Sequence, residues 1–172
     1  EHPKIPGLFL LTAPARPHGR PVTEIQMADL LREVRRRFDF CLLDAPAGLG
    51  RGFQLATCAA DRCVVVTTAD ASSLRDAQHT VMELDRFPSG ALHLVVNRVR
   101  KKLLRQLHAT IDDAIDKAGL PLLGVVPEDD ALPLCMNRGV PILLADGQSA
   151  ATAYRNIAKR LQGERVPLLR IR

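Results

Sequence analysis

Short runs of Val, Leu and Ile alternate along the chain with longer stretches in which apolar residues recur every three or four positions. The first run, residues 7–11, reads as a strand, and a turn region with Pro14, Pro17, Gly19 and Pro21 follows it. Thr23 and Gln26 have the spacing of a capping box, in which each side chain bonds the other's backbone N–H. A helix is therefore predicted from there to near Phe38, burying Ile25, Leu30, Leu31 and Val34. A second strand, residues 40–43, runs into the Gly-rich loop 44–52, after which a short helix passes through Leu55 and Cys58. A strand over 63–67 leads through a polar loop to a helix over about 73–87, with Leu74, Ala77, Val81 and Leu84 on one side. The strand 92–96 ends in Asn97-Arg98, and a basic connection feeds a helix carrying Leu107, Ile111, Ala114, Ile115 and Ala118. The strand 122–126 ends in Pro127-Glu128-Asp129-Asp130. Ala150, Ala153, Tyr154, Ile157, Ala158 and Leu161 then form the stripe of a final amphipathic helix.

Strands that are apolar throughout belong to a sheet covered by helices on both faces. The fold class is therefore α/β: a mostly parallel sheet with helices on both faces, in one domain spanning residues 1–172. In such sheets ligands bind beyond the carboxyl ends of the strands. Asp44, Asn97, Glu128 and Asp129 all stand at predicted strand ends, which points to one shared site.

Composition narrows the partners. With 47% hydrophobic and 25% charged residues the chain has material for a core and is too apolar to be disordered. Five Phe, one Tyr and no Trp leave little for stacking on unpaired bases, which argues against single-stranded nucleic acid. The net charge of +5 comes mainly from arginines at 32, 35, 36 and 37 and between 98 and 105. Phosphates or anionic headgroups suit such patches, and so does plain solvent on a helix face. The four cysteines lack the close pairs of zinc or redox motifs and read as reduced, mostly buried thiols of a cytosolic protein. His79, His93 and His108 fall in separate elements without a metal-ligand pattern, so no metal site is assigned to them. No apolar run reaches about 18 residues, so no helix spanning a bilayer is expected.

A strand ending in Asp before a Gly-rich turn is what a nucleotide triphosphatase needs. The carboxylate can hold the water shell of magnesium, and backbone N–H groups after it can meet a terminal phosphate. Alone, Asp44-Ala45-Pro46-Ala47-Gly48 also reads as a simple turn, Asn97 as a cap, and Glu128-Asp129 as the start of a helix.

Taken in order, the segments resemble the MinD family of deviant Walker A P-loop ATPases. Residues 38–48, Phe-Asp-Phe-Cys-Leu-Leu-Asp-Ala-Pro-Ala-Gly, resemble its Walker B and switch II segment. Val66-Thr67-Thr68 and Ser73-Leu74-Arg75-Asp76-Ala77 resemble its next strand and helix. Val95-Val96-Asn97-Arg98 is similar to its base-binding strand end, and residues 123–129 are similar to its second adenine-side loop. Asn137-Arg138-Gly139-Val140-Pro141 matches a further segment. The resemblance implies ATP and magnesium as cofactors, with Asp44 supporting magnesium through water and the Gly48 backbone sensing the γ-phosphate. It implies that Asn97 bonds adenine with Arg98 beside it, that Pro127, Glu128 and Asp129 close over the base, and that Asp76 lies on a partner surface.

It further implies a homodimer when ATP is bound, a MinC-like division inhibitor, a MinE-like or other topological regulator, and an anionic inner membrane whose inner face the cytoplasmic protein visits. The family's Lys-Gly-Gly-x-Gly-Lys motif and its switch I Asp occur nowhere in these residues. The sheet is accordingly expected to be incomplete on its amino-terminal side, beside the strand ending at Asp44. The chain alone is expected to lack ATPase activity and to bind nucleotide weakly. Residues 166–172 are too short and Pro-interrupted to lie stably in a bilayer interface. Two alternatives remain: a pseudo-ATPase scaffold, and a ParA-type partition ATPase whose arginines meet DNA phosphate.

Overall fold

The computed structural model describes residues 1–3, 5–12, 21–88, 90–106, 110–144 and 149–169. The sequence-predicted turn residues Pro14, Pro17 and Gly19, together with Leu107, His108 and residues 170–172, lie outside the described residues. Three strands, β1 (Cys63–Thr67), β2 (Leu92–Val99) and β3 (Leu122–Pro127), form a parallel sheet in the order β1-β2-β3. Each neighbouring pair is joined through helices, as parallel strands require. The helices are α1 (Glu24–Arg35), α2 (Arg51–Thr57), α3 (Ala71–Met82), α4 (Lys101–Gln106), α5 (Ile111–Ala118), α6 (Ala131–Asn137) and α7 (Ser149–Leu161), with a 3-10 turn at Ile142–Leu144.

Both faces of β2 and β3 are covered. On one side α3 and α5 bring Leu74, Ala77, Ala114 and Ala118 against Leu94, Val96 and Val125. On the other, Ala150, Ala151 and Ala153 of α7 lie with Val95, Leu123, Val126 and Ile142. Small residues on α7 let it approach β3 closely, and at Gly124 there is no room beneath Ile157 for a Cβ. Leu84, Leu94, Val96 and Val126 are the largest fully buried side chains, and truncating such a Leu to Ala costs about 2–5 kcal/mol.

Local signals place the helix starts. Thr23 and Gln26 form the expected capping box, and Thr110 with Asp113 forms a second one. Gly119, at φ 66°, ends α5 in the left-handed conformation that a Cβ disfavours. Asp70 caps α3 and starts it two residues before the expected Ser73.

Several expectations are corrected. Residues 7–11 and 40–43 are not strands: among the described residues no neighbouring strand bonds them, and a strand without a ladder has no partner for its N–H and C=O groups. Leu10, Leu11, Phe40 and Leu42 are exposed. The stripe of α1 is not buried either; Ile25 is 76% and Leu30 43% exposed. Strand β1 is buried on one face only, with Val65 and Thr67 inside and Val64 and Val66 outside. Helix α7 packs on β3, and a helix about 10 Å wide covers roughly two strands spaced 4.8 Å apart, so it leaves β1 bare. None of the four cysteines is fully buried, and Cys41 is exposed. Among the described residues no helix is long and apolar enough to cross a membrane.

Candidate nucleotide site

The carboxyl ends of β2 and β3 lie side by side, which brings Asn97, Arg98, Pro127, Glu128 and Asp129 together as the sequence predicts. Arg98 has φ 53°, in the left-handed region. Its backbone N–H donates to Asn97 Oδ1 at 2.9 Å. Only oxygen accepts an N–H, so this bond fixes the carboxamide's orientation and leaves Nδ2 as the group on offer. Asn97 Nδ2 makes no hydrogen bond among the described residues, and the side chain is half-buried.

Glu128 is more withdrawn than the arginines around it. Its side chain is 20% exposed and pairs with Arg98 Nη2 at 3.3 Å and with Arg100 Nε. Asp129 serves the fold. Its Oδ1 accepts from Ala131 N–H at 3.1 Å, and its Oδ2 accepts from Ala150 N–H at 3.1 Å and Ser149 Oγ at 3.2 Å. These bonds, Ala150 N–H foremost, hold its carboxyl below the usual carboxylate range and tie the loop after β3 to the start of α7.

Asp44 and Gly48 sit apart on the segment between α1 and α2. Both are exposed, and Gly48 turns the chain at φ 85°. Pro46 packs on Gly52, where a Cβ would come within 2.4 Å of Pro46 Cγ, so the switch-like turn leans on the first turn of α2. No hydrogen bond or ion pair among the described residues joins Asp44 or Gly48 to the β2–β3 group. Asp76 is exposed on α3, where its carbonyl accepts from Thr80 Oγ1. A cleft of about 290 Å³ between α1 and α2, lined by Thr23, Glu24, Ile25, Arg51, Gln54 and Leu55, is distinct from all of these residues.

Sequence reasoning missed Asp70. Its carboxylate accepts from Thr68 Oγ1 at 2.5 Å, Ser72 Oγ at 2.7 Å and Ser73 N–H at 3.0 Å, and these bonds, Thr68 first, hold it far below the usual carboxylate range. The signal was present as Asp followed by Ser three residues on at a helix start.

Residues 16–161 match the family model described as cellulose biosynthesis protein BcsQ. The septum site-determining protein MinD of Synechocystis is 32% identical over 169 residues, covering 96% of this chain and 63% of that protein. MinD of Bacillus subtilis is 35% identical over 163 residues, covering 94% and 61%. The chain belongs to the MinD/ParA family, on its MinD-type branch.

Solved structures agree with that membership. A MinC:MinD cell division protein complex from Aquifex aeolicus superposes with TM-score 0.81 at 29% identity, over 87% of this chain and 63% of that one. Pyrococcus horikoshii MinD, solved with Mg-ADP, superposes at 0.69 over 81% of this chain and 56% of that one, and its 24% identity carries the fold alone. The chain thus spans about three-fifths of the length of the relatives it matches. The parallel α/β architecture is the one expected from the sequence.

At the ends of β2 and β3 a half-buried carboxamide with a free donor thus stands at a strand end beside a loop. Asp44, an exposed carboxylate, and the left-handed turn at Gly48 stand on a separate segment of the chain.

Proposed function

We propose that this chain supplies the switch II and base-binding part of a MinD-type ATPase that places the cell-division site. The observation that carries the reading is Asn97, its carboxamide oriented by Arg98 N–H and its donor free at the end of β2, in a chain whose relatives are septum site-determining proteins. ATP would lie across the carboxyl ends of β2 and β3, with its base against Asn97 and the Pro127–Asp129 loop. Asp44 would hold magnesium through water, and the ion would neutralise charge between the phosphates. The Gly48 turn would follow the terminal phosphate. Arg98 would flank the base.

By itself the 172-residue chain is inactive as an ATPase in this reading, because these residues contain no Lys-Gly-Gly-x-Gly-Lys cradle. The partners follow the family: a second copy when ATP is bound, a MinC-like division inhibitor, a MinE-like or other regulator with Asp76 on the shared surface, and the anionic inner membrane. The family model's own description favours a second reading, in which the same switch serves cellulose synthesis.

The test is made on the full gene product that contains this sequence. Asp44→Ala is expected to abolish hydrolysis, since it removes the carboxylate nearest the developing charge. Asn97→Ala is expected to raise KM for ATP about tenfold or more, because base contacts are alike in ground and transition states and an unpaired polar group costs about 1–3 kcal/mol. Normal turnover in Asp44→Ala would defeat the assignment. Steeply salt-dependent DNA binding would favour a ParA-type role, and partner binding without nucleotide binding would favour a scaffold.

A further inference from the structure

The carboxyl end of β2 is irregular. Val96 pairs with Val125 and Val99 with Pro127, so two residues, Asn97 and Arg98, stand opposite one, Val126. That is a β-bulge, a device that re-aims a side chain next to a site. Its second residue, Arg98, takes φ 53°, which glycine adopts freely and a residue with a Cβ does not. Something must hold it there.

Glu128 has the contacts to do so. Its backbone N–H donates to Val99 O at 3.1 Å, which anchors it beside the bulge. Its carboxylate reaches Arg98 Nη2 with one oxygen and Arg100 Nε with the other. The two arginines flank Val99, so one carboxylate grips the chain on both sides of the point where the ladder resumes. Both guanidinium groups are mostly exposed, and such pairs add little to global stability. Their effect is local: they select the conformation in which Arg98 N–H meets Asn97 Oδ1.

We propose that Glu128 is a positioning residue. By holding Arg98 and Arg100 it maintains the bulge, and the bulge turns the Asn97 carboxamide so that it presents a hydrogen-bond donor to an acceptor on the nucleotide base. This rests on the nucleotide-binding reading above and gives Glu128 a different task from closing over the base itself.

The experiment measures MgATP affinity of the full gene product by calorimetry. Asn97→Ala and Glu128→Ala should each weaken binding roughly tenfold, and Glu128→Ala should add less than about twofold in the Asn97→Ala background, since coupled residues are not additive. Arg100→Ala, which removes one of the two guanidinium groups that Glu128 holds, should weaken binding in the otherwise unaltered protein and add less than about twofold in the Glu128→Ala background. Should Glu128→Ala not fold, Glu128→Gln, which keeps the shape and drops the charge, carries the same comparisons. Additive losses in either double variant would mean that Glu128 acts on the nucleotide independently of Asn97 and Arg100 and would overturn the proposal. Binding weakened by Asn97→Ala and untouched at Glu128 would also overturn it while leaving the nucleotide reading standing. Failure of the unaltered protein to bind MgATP would sink both.

Discussion

Replacing Gly124 with alanine adds a Cβ where β3 and α7 touch. The new atom would lie 2.3 Å from Ile157 Cγ1 and 2.9 Å from Ile157 Cδ1. Carbon atoms rest about 3.5–4.0 Å apart, so more than 1 Å must be found. Ile157 cannot swing away cheaply, because a β-branched side chain in a helix has one strongly preferred rotamer. Nor can α7 lift easily, since Ala150, Ala151 and Ala153 are all buried against the same core. Overpacking of this kind costs about 1–3 kcal/mol, and a midpoint of about 2 kcal/mol corresponds to a drop of about 4–8 °C in Tm for a chain of this size.

Urea denaturation and calorimetry of the 172-residue chain read this directly. In the Ile157→Ala background both offending atoms are gone and the nearest remaining one is Ile157 Cβ at 3.8 Å, an ordinary contact. There Gly124→Ala should cost less than about 0.5 kcal/mol. An equal cost in both backgrounds would show that the strain is not steric contact with Ile157. No cost in either would show that the helix and sheet are not in close approach.

Two further outcomes follow from hydrogen bonding. Asp70 has a folded pKa held far below the usual range by Thr68, Ser73 and Ser72, so the stabilisation it gives is present above its unfolded pKa of about 4 and fades as pH falls towards the folded value. Asp70→Asn should therefore cost about 1 kcal/mol at pH 7 and progressively less below pH 4, as read from urea midpoints; a gap that stays constant down to pH 2 would contradict the assignment. Amide exchange should be slow at 94–96, where β2 is bonded on both sides, and fast at 40–43, which have no ladder among the described residues. Because Cys63 N–H bonds Ala91 O, the alternation of a parallel ladder turns Val65 N–H inward and Val64 and Val66 N–H outward. Uniform protection along β1 would reveal a neighbour on its open edge.

The parallel α/β class, three of the strands, the capping box at Thr23 and the amphipathic stripe of α7 depend on periodicity and on bonds within four residues, and the chain declares them by itself. So do the motifs that carry the family resemblance, because residue type at a strand end is a local property. Long-range neighbours decided the rest. Residues 40–43 have the composition of a buried strand, yet a strand exists only through hydrogen bonds to another strand, and none lies beside them among the described residues. Val64 and Val66 look like core and stand in the open because the width of α7 does not reach them. Glu128 could be read from sequence as a lid residue, but its grip on Arg98 and Arg100 arises where β2 and β3 happen to end side by side. A bulge has no sequence signature when its left-handed residue is arginine, since that conformation is imposed by contacts some 30 residues away in the chain.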